Sequence, residues 1–209
     1  MRSKVTITLF SSLLVAGCAW NALYVTPSVA PVQVALNDFK KPYPGKYLLL
    51  VSSAGLNQKV EVAGLVCTSH DFIVEIERNF ERSVQKTLAN VVEEIEVVPA
   101  ALTKKQIRAA KARALITVKA ESLAAGLLVS PGFFTKESQA KVTISARLQV
   151  LRRKGRLLNK QLRAENSTEL TIGKCLDGYK PVAAASTKAL KQLVEKIGAA
   201  VAKSLSSRG

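Results

Sequence analysis

Residues 139–150 read QAKVTISARLQV, and this stretch decides the fold class. Ala140, Val142, Ile144, Ala146, Leu148 and Val150 alternate with Lys141, Thr143, Ser145, Arg147 and Gln149. A period of two sends the apolar set to one face of a strand and the polar set to the other. One face is then buried and the other wet, the pattern of an antiparallel sheet covered on one side. Just beyond it, RRKGR (152–156) turns the chain, with Gly155 free to take positive φ. A partner strand is predicted within 157–172. Upstream, ALITVKAESL (114–123) and its continuation to Val129 predict a strand that stops at the turn residues SPG, 130–132.

Further toward the N-terminus, KYLLLVSS (46–53) is an apolar run of strand length. QKVEVAGLVC (58–67) alternates enough to be a second strand, with AGLN as the turn between the two. A helix is expected from Ile73 to Ile95, because Ile76, Phe80, Val84, Leu88, Val91 and Ile95 recur three or four residues apart. In this reading Ser69 or Asp71 of TSHD caps its start. TKKQIRAAKAR (103–113) predicts a short helix with Thr103 and Gln106 at capping-box spacing. A last amphipathic helix spans 181–205, with Leu190, Val194, Ile197, Val201 and Leu205 on one stripe. The sum is an α+β domain of two layers: a largely antiparallel sheet of about five strands, with two long amphipathic helices on one face.

The chain has 209 residues and a formal net charge of +16. Such an excess of positive charge points to an acidic partner, be it nucleic acid, anionic lipid or another polyanion. Which of these applies is decided at the N-terminus. MRSKVTITLFSSLLVAG precedes Cys18: Arg2 and Lys4 are basic, and Val5 to Ala16 form an apolar core. Twelve residues are too few for a helix to cross a hydrocarbon layer of about 30 Å, which needs about 20. Length and flanks fit a cleaved export signal.

The signal ends in Val15-Ala16-Gly17-Cys18, which resembles the lipobox of bacterial lipoproteins. The resemblance implies that the Cys18 thiol receives a diacylglycerol, that residues 1–17 are removed, and that the new amine is acylated, for instance with palmitate. Several acyl chains hold a protein to a bilayer far more firmly than one. Ala19 stands where aspartate would mark retention in the inner membrane, so the implied destination is the outer membrane, facing the periplasm. Residues 18–45, with Pro27, Pro31, Pro42 and Pro44, are expected to be a tether, and 46–209 a single periplasmic domain. Trp20 and Tyr24 lie near enough to the anchor to meet the lipid interface. The order of elements behind the lipobox resembles, in outline, small envelope-assembly lipoproteins such as the lipopolysaccharide-assembly lipoprotein.

Export also recasts the cysteines. With Cys18 lipidated, Cys67 and Cys175 remain as an even pair in an oxidising compartment, where a disulfide is expected if geometry allows. The alternative is two separate buried thiols. Chemistry is sparse: His70 is the one histidine, and its neighbours in CTSHD do not build a triad, whose members come from separated stretches. No metal-ligand spacing and no phosphate loop is present, so no enzyme activity and no cofactor is expected. Two basic clusters remain as anion-binding candidates: Lys104, Lys105, Arg108, Lys111 and Arg113, and then Arg152, Arg153, Lys154 and Arg156. Phe133 and Phe134 sit at a predicted loop tip. The function expected is that of a lipid-anchored, non-enzymatic binding or assembly accessory. Its partner would be an envelope protein complex or an anionic glycolipid, with no nucleic acid involved. The alternative is a structural subunit of an envelope or secretion complex.

Overall fold

The computed structural model describes residues 24–25, 30–33, 42–132, 135–153 and 155–206. In chain order the elements are β1 (Tyr24–Val25), β2 (Tyr43–Ser52), β3 (Asn57–Lys59), β4 (Glu61–Gly64) and β5 (Asp71–Glu75). Then come α1 (Glu77–Leu88), β6 (Val92–Val97), α2 (Lys104–Ala109), β7 (Ala114–Pro131), β8 (Lys136–Arg152) and β9 (Gly155–Ile172). A 3-10 turn over Cys175–Gly178 leads into α3 (Tyr179–Ser206).

The alternation in 139–150 does what its period requires. Val142, Ile144, Ala146, Leu148 and Val150 are fully buried, and β8 pairs antiparallel with β7 on one side and β9 on the other. This meander of long strands makes the main sheet mostly antiparallel, and α3 lies across β8 and β9. The helix presents Val182, Ala189, Leu193, Ile197 and Val201 to the sheet, all at zero exposure. Burying side chains of this size stabilises by about 1.5–3 kcal/mol each.

The rest of the domain departs from expectation in four ways. First, the described residues form nine strands in two sheets rather than about five: six in the order β6-β2-β7-β8-β9 with β4 also on β7, and three as β1-β5-β3. Second, residues 58–67 are not one strand hairpinned to 46–53. They split into β3, which pairs with β5, and β4, which runs parallel to the far half of β7. β2 lies instead between β6 and β7, parallel to both. Tyr47, Leu48 and Leu49 are consecutive and all buried, which only a strand covered on both faces requires.

Third, the helix expected over 73–95 is only α1, flanked by two strands. Phe72, Val74 and Ile76 alternate while Ile76, Phe80, Val84 and Leu88 recur every fourth residue, and all are fully buried. The two periods share Ile76, so a helical register runs on past its real limits. The β-branched runs at both ends pair as strands. Neither Ser69 nor Asp71 caps α1. Asn57, on β3, accepts at Oδ1 from Ile76 N at 3.1 Å and Glu77 N at 3.4 Å. Fourth, among the described residues only α3, at 28 residues, is a long helix, and the helices do not share one face. α2 seals a small second core on the opposite face, where Ile107 packs with Leu48, Val98, Ala112 and Leu115. Its capping box of Thr103 and Gln106 forms as the spacing predicts.

Candidate functional site

The two basic clusters lie far apart in sequence, yet the fold brings them to one end of the main sheet. β8 ends at Arg152 where β7 begins at Ala114, and the two residues are paired. Arg153 reaches back and donates from Nε to the Ala112 carbonyl at 3.0 Å, tying the β8–β9 turn to the segment after α2. Arg113 N donates to Lys46 O at 2.8 Å, fixing the same segment to β2.

The arginines at this pole have structural work. Arg152 approaches the Leu205 carbonyl at 3.5 Å, at the C-terminal end of α3, where the helix dipole favours a cation. The Arg113 guanidinium hydrogen-bonds the Tyr47 hydroxyl. Burial pushes that hydroxyl above its ordinary value of 10.0, and Arg113 and Arg152 pull it partly back. Gly45 makes room, since a Cβ there would stand 2.7 Å from Arg113 Nε, and its φ of +86° is one that side chains disfavour.

The lysines differ. Lys104, Lys105 and Lys111, with Arg108, are exposed, and none of them meets a carboxylate among the described residues. Lys111 has φ +56° and closes α2. Its N–H donates to Arg108 O at 3.0 Å, and Ala112 N donates to Ile107 O at 3.1 Å. That is a Schellman ending with lysine at the position where glycine is the usual residue. A left-handed conformation costs a side chain about 1–2 kcal/mol, and strain of this kind concentrates at functional positions. Lys203 joins the pole from the last turn of α3, because Leu205 meets Arg152 there. Its place in the sequence, fifty residues past the second cluster, carries no signal of this. Lys154 and the Arg156 side chain lie outside the described residues, as do Cys18, Trp20, Phe133 and Phe134.

Cys67 and Cys175 are joined in a disulfide, with Cα atoms 5.2 Å apart. The sulfur of CTSHD is therefore bonded, and Ser69 Oγ and His70 Nδ1 stand 3.4 Å apart. Among the described residues no group of three His, Cys, Asp or Glu could hold a metal ion, and no helix is long and apolar enough to cross a membrane. A shallow depression of about 580 Å³ lies on the sheet face away from α3, bordered by Glu61, Ala63, Gly126, Leu128, Lys141 and Glu165. Of its charged groups, Lys141 and Glu165 are paired with one another. Glu165 is held down to about 2 by Lys141, Thr143 and Arg163. Elsewhere on the sheet, Glu121 accepts from Arg147 Nε and Gln161 Nε2.

No family model matches the chain, and no curated protein matches it with significance. Among solved structures, a Xanthomonas campestris protein of the DUF330 family gives a TM-score of 0.51 at 10% identity, covering 87% of this chain and 96% of its own. A neuraminyllactose-binding hemagglutinin homologue from Helicobacter pylori gives 0.43 at 10% identity, over 81% and 90% of the two chains. A hypothetical protein from Chlamydia trachomatis gives 0.41 at 9%, over 78% and 100%. At these identities the first likeness is one of fold alone.

Proposed function

We propose that this protein is a lipid-anchored lipoprotein of the outer membrane, facing the periplasm, that serves as a non-enzymatic binding or assembly accessory in the cell envelope. The lipobox ending in Cys18 supports the anchor and the compartment. The observation that carries the binding role is the convergence of two distant basic clusters on one pole, where Lys104, Lys105, Arg108 and Lys111 meet no carboxylate among the described residues. Unpaired cations on a rigid end of a sheet suit an anionic partner, through charge-assisted hydrogen bonds to phosphate or carboxylate. An anionic glycolipid or an acidic face of an envelope complex has that chemistry.

The test is a charge-reversed variant carrying Lys104→Glu, Lys105→Glu, Arg108→Glu and Lys111→Glu, titrated with lipopolysaccharide micelles beside the unaltered chain. Weakening of tenfold or more, steeply dependent on salt, is the expected result. Equal binding by both proteins would overturn the role given to the pole. A second reading, a structural subunit, draws on β9: an 18-residue strand whose outer edge pairs with no strand among the described residues, and which another copy can extend. A defined homo-oligomer that is insensitive to those reversals would favour it.

A further inference from the structure

The opposite end of the sheet has a different chemistry. There β4 ends at Gly64, β7 ends at Pro131, β9 ends at Ile172, and the disulfide joins Cys67 to Cys175. Five large apolar residues are exposed among those described, and four of them belong to this end: Leu65 at 86%, Leu128 at 44%, Leu170 at 41% and Leu176 at 37%. Leu65 lies two residues before Cys67, and Leu176 directly follows Cys175, so the bridge holds both on one rim. Two lysines here are already engaged: Lys180 pairs with Asp177 at 2.8 Å, and Lys136 Nζ donates to Gly173 O at 3.2 Å.

The start of β1 faces this same end. β1 runs parallel to β5, with Tyr24 beside Asp71. β5 is antiparallel to β3, and β3 leads directly into β4, which runs toward the disulfide end. β5 therefore runs away from that end. Tyr24, the first residue of β1, thus lies at the end of β1 nearer the disulfide, beside Asp71. From Tyr24 back to Cys18 there are six residues, a reach of at most about 21 Å when fully extended. The sheet is much longer, since strands of 18 residues span roughly 55–60 Å. An anchor of that reach cannot bring the basic pole down to the leaflet that holds it.

We infer that the disulfide end is a membrane-contacting surface, on which Leu65 and Leu176 dip into the leaflet that carries the acyl chains. The basic pole then projects away from that leaflet, toward partners in the periplasm. This rests on lipidation at Cys18, and the partner it names is a lipid surface. Exposed apolar side chains beside an acyl anchor add to its hold, as a second signal does for a singly acylated protein.

The experiment uses the full lipidated chain in phosphatidylethanolamine–phosphatidylglycerol vesicles with brominated or ordinary acyl chains. Trp20 is the one tryptophan and is changed to phenylalanine. Reporters are introduced one at a time as Leu65→Trp, Leu176→Trp and Lys105→Trp, with the mass of the N-terminal peptide read alongside. The expected result is emission reduced by about half for the Leu65→Trp and Leu176→Trp variants on brominated lipid, and unchanged for Lys105→Trp, as for side chains 5–10 Å into the interface against one held in water. A correctly acylated, vesicle-bound chain with neither leucine variant quenched would overturn the inference and leave the anchor standing. That outcome would assign the rim to a protein or to a second copy. An N-terminal peptide without acyl mass would overturn both.

Discussion

Reducing the Cys67–Cys175 bridge is the perturbation whose magnitude follows most directly from the structure. The cysteines are 108 residues apart, so the bond closes most of the folded chain into a loop of the unfolded one. In the chain-entropy description a loop of that size stabilises by about 5 kcal/mol, above the typical 2–4 and at the top of the observed range. Against a total stability of roughly 5–15 kcal/mol, this is a large share. A domain of 150–250 residues loses about 2–4 °C in Tm per kcal/mol, which puts the reduced form roughly 10–20 °C lower. Urea titration of oxidised and reduced protein should show a lower midpoint and a steeper slope on reduction, because the freed unfolded chain exposes more surface. Cys67 adds an internal control, since its φ is +67°. In a Cys175→Ser background, Cys67→Gly should be more stable than Cys67→Ser by about 1 kcal/mol, glycine carrying no left-handed penalty. Oxidised and reduced forms within about 1 kcal/mol of each other would refute the loop argument.

Asn57→Ala removes the acceptor shared by Ile76 N and Glu77 N and should cost about 1 kcal/mol in urea, while Asn57→Asp keeps most of it. Gly64→Ala places a Cβ 2.0 Å from the Val129 carbonyl at φ +121°, and should destabilise by about 3–5 kcal/mol, with loss of amide protection in β4. Lys111→Gly relieves a left-handed lysine and should raise stability by about 1 kcal/mol while weakening binding of an anionic probe; a fall in stability would count against the strain. Glu165 has a folded value of about 2 against an ordinary 4.5, so its ion pairs contribute fully above pH 4.5 and are lost as pH falls through about 2. Its carboxyl carbon, followed by NMR, should titrate in that low range, and Lys141→Ala or Arg163→Ala should move the midpoint upward.

What could be read directly were the elements whose single period matched their surroundings. The β8 alternation, its partner β9, the strand from Ala114 and the stripe on α3 each face one core, so one pattern fixes each. The Thr103–Gln106 box was readable because it is made between neighbours. Tyr47-Leu48-Leu49 also carried a signal, since an unbroken apolar run marks burial on both faces. No local pattern, however, says what covers the second face, and it is α2 that does so. The span 73–95 misled for a definite reason: residues 72–76 satisfy a period of two and a period near four at once. Where both fit, only the available strand partners decide, and here β1 and β3 took one end while β2 took the other.

The sequence by itself determined the class of the domain, its apolar strand faces, its long final helix and the excess of positive charge, because each depends on residues close along the chain. Tertiary structure alone decided which strands lie together and which cations share a pole. It also placed the disulfide and the exposed leucines together at the end nearer the start of β1. Those are relations between residues tens of positions apart, and they are set by packing and strand register across the whole sheet, which no window of sequence contains.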